Sequence, residues 1–221
     1  MIDFMNQKFQ ISSELPLNFV LCNLFMNNVL QAVRDYMVLF LTKNLSDQLT
    51  FHNVGHTYEV VSAVREIAQE CLLSEEDICV LQVSAWFHDS GYAYSYKGHE
   101  EESKKIAKKF LENYGCNKDF IRKVLQCIDS TKYPQNPVSE IGKIICDADM
   151  FHLTRTNYAK YEKALRLEFE KYLGLTFTDE EWQMENNNFF IKHQYFTKYG
   201  QNILAKFKEV NFLLMNSSNK F

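Results

Sequence analysis

The stretch that decides the fold is Ile78-Cys79-Val80-Leu81-Gln82-Val83-Ser84-Ala85-Trp86-Phe87-His88-Asp89-Ser90-Gly91. Its first ten residues are almost all apolar, which is typical of a helix buried on most of its sides. An imidazole and a carboxylate then stand side by side where the helix meets a turn. Neighbouring helical residues point about 100° apart, so both side chains reach one point only if the helix ends there or a metal gathers them. Packing explains such a pair poorly, and we interpret His88 and Asp89 as metal ligands.

Other parts of the chain supply the further ligands that such a metal needs. His52 and His56 are spaced i, i+4 upstream, so a helix could present both on one face. Asp147 and Asp149 interrupt an apolar stretch downstream, where unpaired buried carboxylates would be costly. A mixture of imidazole and carboxylate ligands fits a divalent ion such as Mn, Zn, Fe, Mg or Ni better than Ca. The order His, His-Asp, Asp along the chain indicates a metal-dependent hydrolase.

The composition favours an all-α fold. The chain has 221 residues, of which 46% are hydrophobic, with only 7 glycines and 3 prolines to interrupt long helices. Apolar periodicity and start and stop signals predict helices at residues 17–43, 53 or 56 to 71, 74–89, 99–114, 117–130, 139–153, 157–173, 178–188 and 191–215. The sequence Thr178-Asp179-Glu180-Glu181 predicts a capping box, and Gly200 leaves a break in the last helix open.

Charge and cysteine usage narrow the class of protein. The net charge of -4 gives no sign of a nucleic-acid backbone as the main partner. The six cysteines form no C-x-x-C pair and are predicted to be reduced, buried thiols of a cytoplasmic protein. The first residues lack a secretory signal, and polar residues interrupt the apolar stretch at 17–41. We therefore expect no membrane partner.

Three motifs together resemble a known family. They are Phe51-His52-Asn53-x-x-His56, Trp86-Phe87-His88-Asp89-x-Gly91 and Asp147-Ala148-Asp149. This pattern resembles the HD-domain superfamily of metal-dependent phosphohydrolases over at least residues 51–153. Residues 98–103, 128–132, 165–169 and 190–195 are also similar to one bacterial branch, the predicted HD phosphohydrolases. The resemblance implies an HD-domain helical bundle with additional C-terminal helices. The chain would be one domain over residues 1–221, with core motifs at 51–153 and an extension at 154–221.

The resemblance also implies roles for individual residues. His56, His88 and Asp89 correspond to the first three metal ligands. The last ligand would be Asp149 rather than Asp147, because the second aspartate of such segments usually aligns with it. Asp147 would then be either a polar residue of the helix or a group that hydrogen-bonds to the ligands. His52 matches the histidine that gives a proton to the leaving oxygen in the cyclic-nucleotide phosphodiesterase branch.

Other residues depart from the two-metal pattern of the superfamily. His99 could be one of the additional ligands, but Asp129-Ser130-Thr131 stands where another histidine would be expected. We therefore expect one tightly held ion, with a second ion open through Glu100, Glu101 or Asp129. Asp89 and Glu100 are also candidate catalytic carboxylates.

The resulting hypothesis is hydrolysis of a phosphoester of a nucleotide or similar small metabolite by metal-activated water. Lys132 and Arg166 are candidates for binding the phosphate, and Tyr92, with its neighbours in a tyrosine-rich loop, for stacking on a base. One alternative is a nucleotide- or metal-binding sensor without turnover. A less favoured one is an iron oxygenase, which needs histidines that this chain partly lacks. The oligomeric state, the substrate and the metal stay open.

Overall fold

A computed structural model describes residues 17–217 of the chain. In that part the chain forms nine α-helices and no strand, so the all-α prediction is confirmed. The helices are α1 (Leu17–Asn44), α2 (Val54–Gln69), α3 (Glu75–Phe87), α4 (His99–Tyr114), α5 (Lys118–Ser130), α6 (Glu140–Asp149), α7 (Tyr158–Glu168), α8 (Asp179–Lys192) and α9 (Ala205–Ser217). Short 3-10 turns at Ser90–Ala93 and Met150–Thr154 follow α3 and α6.

Polar caps at the predicted places fix where the helices begin. The Asn53 side chain caps α2 and the Ser74 side chain caps α3. Thr178 and Glu181 form the predicted capping box at the start of α8. At the other end of α4, Gly115 has a φ of 88°, a left-handed conformation that glycine adopts without strain. These local signals set the register that brings the candidate ligands to helix ends.

Helix α3 lies at the centre of the molecule. Residues 79–87 are all buried, and the helix packs against α1, α2, α4, α5 and α6. Fully buried side chains of this core include Phe87 of α3 itself and, from the helices packed against it, Ile67 of α2, Ile128 of α5 and Ile144 of α6. Each such side chain contributes about 1.5–3 kcal/mol of transfer free energy. The core therefore holds α2, α3 and α6 in a fixed arrangement, and their ends carry the candidate metal ligands.

Two predicted helix boundaries are wrong. The helix expected at 139–153 ends at Asp149 and continues only as a 3-10 turn. The helix expected from 191 does not begin there: α8 runs to Lys192, residues 193–197 are not helical, and a π-helical turn at Gly200–Leu204 leads into α9. The physical reason is that the Asp147 carboxylate accepts the N–H groups of Phe196 and Thr197, which draws this segment towards α6.

The cysteines and α1 also differ in part from expectation. All six cysteines are free, as predicted, but only Cys79, Cys127 and Cys146 are buried, whereas Cys22 is exposed. Helix α1 buries Met26, Val29, Val33, Met37 and Leu41 along one face and leaves other apolar side chains on its surface. Among residues 17–217, no helix has the length and apolar character needed to cross a bilayer.

Candidate metal centre

Three helix ends converge on one point. His56 lies in the first turn of α2, His88 directly follows α3, and Asp149 is the last residue of α6. Asp149 Oδ1 is 3.2 Å from His56 Nε2 and 3.6 Å from His88 Nε2. One ligand atom from each of the three residues lies within 4.8 Å of the others. This spacing suits a shared divalent ion.

Asp89 completes the cluster. Its Oδ2 is 3.2 Å from His88 Nε2 and 3.5 Å from His56 Nε2. The His88 Nδ1 is 2.8 Å from the Ala85 carbonyl oxygen, a contact that places one ring proton on Nδ1 and directs Nε2 towards the carboxylates. Within the described part of the chain, His88 Nε2 and Asp89 Oδ2 are buried without a hydrogen-bond partner. Buried polar atoms rarely remain unpaired, so these donors fit a bound metal ion.

The electrostatics of the cluster favour charged side chains. Burial acts to raise the pKa of Asp149, but His56 and His88 hold it well below its usual range. The pKa of Asp89 is also lowered against burial, chiefly by His88. Conversely, burial would lower the pKa of His88, but Asp89 and Asp149 raise it well above its ordinary value. Two ionised carboxylates in a buried site attract a cation, which would replace the proton of His88.

His99 and Glu100 lie beside the cluster, on the other side of Asp89. His99 Nε2 is 3.4 Å from Asp89 Oδ1 and 3.7 Å from Glu100 Oε1. A Cβ at Gly91 would clash with the His99 carbonyl, so this glycine allows α4 to begin close to Asp89. Glu101 and Asp129, the other two candidates for a second ion, each form ion pairs with Lys104 and Lys132 instead. The structure therefore brings His99 and Glu100, but not Asp129, to Asp89.

The two aspartates of the Asp147-Ala148-Asp149 motif face different partners. Asp147 is 1% exposed; it accepts from Phe196 N at 2.8 Å and from Thr197 N and Oγ1 at 2.9 and 2.7 Å. Burial raises its pKa, against these hydrogen bonds, which lower it. A Cβ at Gly200 would clash with the Asp147 carboxylate. Asp147 thus ties the C-terminal segment to α6, while Asp149 faces the imidazoles.

His52 lies at the edge of the cluster and is held by Glu168, a residue that sequence reasoning missed. Glu168 is fully buried at the end of α7, and its Oε2 lies 2.7 Å from His52 Nδ1. Its other oxygen accepts from the N–H groups of Phe51 and His52, and Tyr96 donates to Oε2 at 3.2 Å. The His52 ring centroid is 5.9 Å from that of His56. A signal was present, because Glu168 falls within one of the segments that resemble the bacterial branch.

The three predicted substrate-binding residues have other contacts. The Tyr92 ring stacks on His99 at 3.8 Å and lies 4.3 Å from His52, so His99 covers one of the faces that a base would need. Lys132 forms ion pairs with Glu101 and Asp129. Arg166 binds Asp179 at 2.7 Å and Glu170 at 3.3 Å. Neither cation contacts the cluster among the described residues, because each is engaged by neighbouring carboxylates.

Two further histidines surround the cluster. His152 Nδ1 is 3.1 Å from the Asp149 carbonyl oxygen, and burial, followed by His56, lowers the pKa of His152 to about 3. Both ring nitrogens of His193 are buried without a hydrogen-bond partner in the described part of the chain. Burial, with Lys208 nearby, lowers the pKa of His193 to about 4. Sequence reasoning missed both residues as site candidates, although His193 lies in the similar segment at 190–195.

Comparison with known proteins assigns the family. Residues 53–154 match the family model of the HD domain. No curated protein matches the sequence. HD domains bind divalent metals and are generally metal-dependent hydrolases, and the matched region contains His56, His88, Asp89 and Asp149. Residues 53–154 of the chain therefore form an HD domain, which places this region in the HD-domain superfamily.

Proposed function

We propose that this protein hydrolyses a phosphoester of a nucleotide or a similar small metabolite. The observation that carries the proposal is the cluster of His56, His88, Asp89 and Asp149 within an HD domain, with two buried ligand atoms that have no hydrogen-bond partner among residues 17–217. These four residues would hold one divalent ion. When bound, such an ion supplies an activated water near neutral pH and neutralises charge on a phosphoryl oxygen.

His52 is the proposed proton donor to the leaving oxygen. The Glu168 carboxylate accepts a hydrogen bond from the N–H at His52 Nδ1, which orients the ring and directs Nε2 away from Glu168. Tyr96 and the N–H groups of Phe51 and His52 fix the carboxylate in turn. General acid catalysis of this kind contributes about 10²–10⁴-fold to the rate. Glu168 acts through His52 and is therefore a positioning residue.

His99 is the proposed protein contact for the phosphate, in place of Lys132 and Arg166. Burial would lower the pKa of His99, but the Asp89 carboxylate raises it. A protonated His99 beside Asp89 provides a positive charge where the two cations are absent. If a second ion binds, His99 and Glu100 become its ligands instead. Metal analysis separates the two forms, since the first requires one ion per chain.

The finer assignments of branch and location belong to the same proposal. Glu168 and His193 both fall in segments that resemble the bacterial HD phosphohydrolases, which supports kinship with that branch. The free cysteines are in keeping with a cytoplasmic protein. We further propose a single domain over residues 1–221 that acts on a small molecule, without a nucleic-acid polymer or a membrane as partner.

The test combines metal analysis with a substrate screen. Protein purified without chelators is analysed for metal and assayed against nucleotides and phosphomonoesters. We expect Asp149→Asn and His88→Ala to lose metal and activity together, while Asp129→Asn, a matched change outside the cluster, keeps both. His52→Ala should keep the metal and lose about 10²–10⁴-fold in rate on substrates with poor leaving groups.

Two outcomes would contradict the proposal. Metal retained in both Asp149→Asn and His88→Ala would mean that the cluster is not the metal site. Metal-loaded protein that is inert against the whole panel would instead favour a binding module without turnover.

A further inference from the structure

A groove between α1, α2 and α3 shares no lining residue with the candidate metal centre. It encloses about 480 Å³, and its lining is mostly polar or aromatic. The side chains that line it include Gln31, Arg34, Tyr58, Arg65, Gln82 and Trp86. None of them belongs to the metal cluster or to the His52–Glu168 pair. The mechanism above does not use this groove.

The groove contains two of the three arginines that have no carboxylate partner among residues 17–217. The sequence contains five arginines. Arg122 and Arg166 form ion pairs with carboxylates, and Arg155 lies over the Phe151 ring at 4.8 Å. Arg34 and Arg65 have no carboxylate partner among residues 17–217, and both line this groove. Two guanidinium groups that share a groove without a counter-charge form a local site for an anion.

A buried amide holds one of these arginines in place. Gln82 is 5% exposed at the base of the groove. With its amide assigned so that the oxygen faces Arg65, Gln82 accepts from Arg65 Nη2 at 3.3 Å. Glu66, next to Arg65 in sequence, accepts from the Tyr199 hydroxyl at 2.8 Å, and Asp35, next to Arg34, accepts from Gln31 Nε2 at 2.9 Å. The Arg65 guanidinium is therefore oriented by a neutral amide, and no carboxylate among residues 17–217 pairs with it.

We propose that this groove binds the phosphate group of a small phosphorylated molecule. The guanidinium fork matches phosphate oxygens bidentately, and two arginines can balance a doubly charged group. The groove is larger than a single phosphate requires. Tyr58 is 43% exposed and packs edge-to-face on Trp86, with the ring centroids 5.1 Å apart, so it offers a surface for the rest of the ligand. Because the whole chain has a net charge of -4, anions are not attracted to it in general.

The test measures binding of pyrophosphate to the full chain by isothermal titration calorimetry. The protein is stripped of metal and kept in phosphate-free buffer, so that binding at the metal centre is suppressed. The test variant is Arg34→Gln/Arg65→Gln. The control is Lys43→Gln/Lys206→Gln, which removes the same charge from two exposed lysines outside the groove. Succinate serves as a dianion without phosphate.

We expect one pyrophosphate site, weakened at least about tenfold in the arginine variant and unchanged in the lysine control. Arg34→Lys/Arg65→Lys should bind at an intermediate level, because it keeps the charge but loses the fork. The proposal is overturned if pyrophosphate does not bind the unaltered chain. It is equally overturned if the arginine variant binds as well as the unaltered chain, or if succinate binds as tightly as pyrophosphate.

Discussion

The substitution Glu168→Gln tests how His52 is positioned. Glu168 is fully buried, and its two oxygens serve separate partners: Oε1 accepts from the N–H groups of Phe51 and His52, and Oε2 faces His52 Nδ1 and the Tyr96 hydroxyl. Glutamine has nearly the same shape but carries one oxygen and one NH₂ group. Its oxygen is best placed towards the two N–H donors, which turns the NH₂ group towards His52 Nδ1. The proton that Glu168 held on Nδ1 then has no acceptor.

The contacts of Glu168 set the size of the expected effects. A hydrogen bond to a charged group contributes about 1.5–3 kcal/mol and a neutral one about 0.5–1.5 kcal/mol. Replacing the carboxylate weakens the bonds to the N–H groups and forfeits the one to His52, so we expect a loss of about 2–4 kcal/mol in the free energy of unfolding. The rate should fall about 10²-fold, the lower end of what a general acid contributes. Metal content should not change, because Glu168 contacts none of the four cluster residues in the described structure.

The assay compares hydrolysis of substrates with good and poor leaving groups by the metal-loaded variant. Protonation matters most for poor leaving groups, so their rates should fall further. Glu162→Gln is the matched control: Glu162 lies on the same helix and accepts from the Trp182 indole N–H at 2.9 Å. Hydrolysis of poor-leaving-group substrates by Glu168→Gln at the unaltered rate would contradict a positioning role for Glu168. Equal losses for both kinds of leaving group would also count against a role through His52.

Three further outcomes follow from the buried groups. Asp147→Ala leaves three donors without their acceptor and should lower the free energy of unfolding, measured in urea titrations, by about 3 kcal/mol. The control Asp47→Ala, at an exposed position, should change the free energy of unfolding little. Equal effects of the two substitutions would contradict the anchoring role of Asp147. Burial, with Lys208 nearby, lowers the pKa of His193 from 6.5 to about 4, so below its ordinary pKa the unfolded chain binds a proton that the folded chain excludes. Stability should therefore fall by up to about 2 kcal/mol between pH 7 and pH 5 through this residue, and His193→Gln should lack that part of the fall; identical pH profiles would rule it out. Chelation of the metal should lower the melting temperature of the unaltered chain, since a ligand at 100 times its Kd stabilises by about 2.7 kcal/mol, and should have no effect on His88→Ala.

Features that depend on near neighbours in the chain could be predicted from the sequence. The caps Asn53, Ser74 and Thr178 each lie within a few residues of the groups they bind. The apolar run before His88 predicts a buried helix, and burial of α3 places His88 in the core. The motif order along the chain indicates which imidazoles and carboxylates belong together. The structure brings His56, His88 and Asp149 within reach of one ion.

Features that depend on packing of distant segments could not be predicted. Glu168 meets His52 across 116 residues of chain, and no local pattern encodes that pairing. The sequence analysis predicted a phosphate-binding role for Arg166 and none for Glu168, two residues further along the helix. Residues two apart on a helix point about 200° apart. When α7 turns Glu168 inward, Arg166 therefore faces outward and binds Asp179. The predicted phosphate-binding role of Lys132 could have been doubted from the sequence, because Asp129 lies three residues before it and pairs with it.

The C-terminal extension takes part in the site, although its residues lie beyond the HD match at 53–154. Asp147 and Asp149 are two positions apart near the end of α6, so they face opposite directions, one towards the segment at 193–197 and the other towards the imidazoles. A chain cut after residue 154 would keep the four cluster residues but lose Glu168 and the donors that satisfy Asp147. A buried carboxylate without donors is costly, and α6, which positions Asp149, would bear that cost. The HD core alone therefore holds the four candidate ligands, and the extension fixes His52, the proposed proton donor, and the end of α6 that carries Asp149.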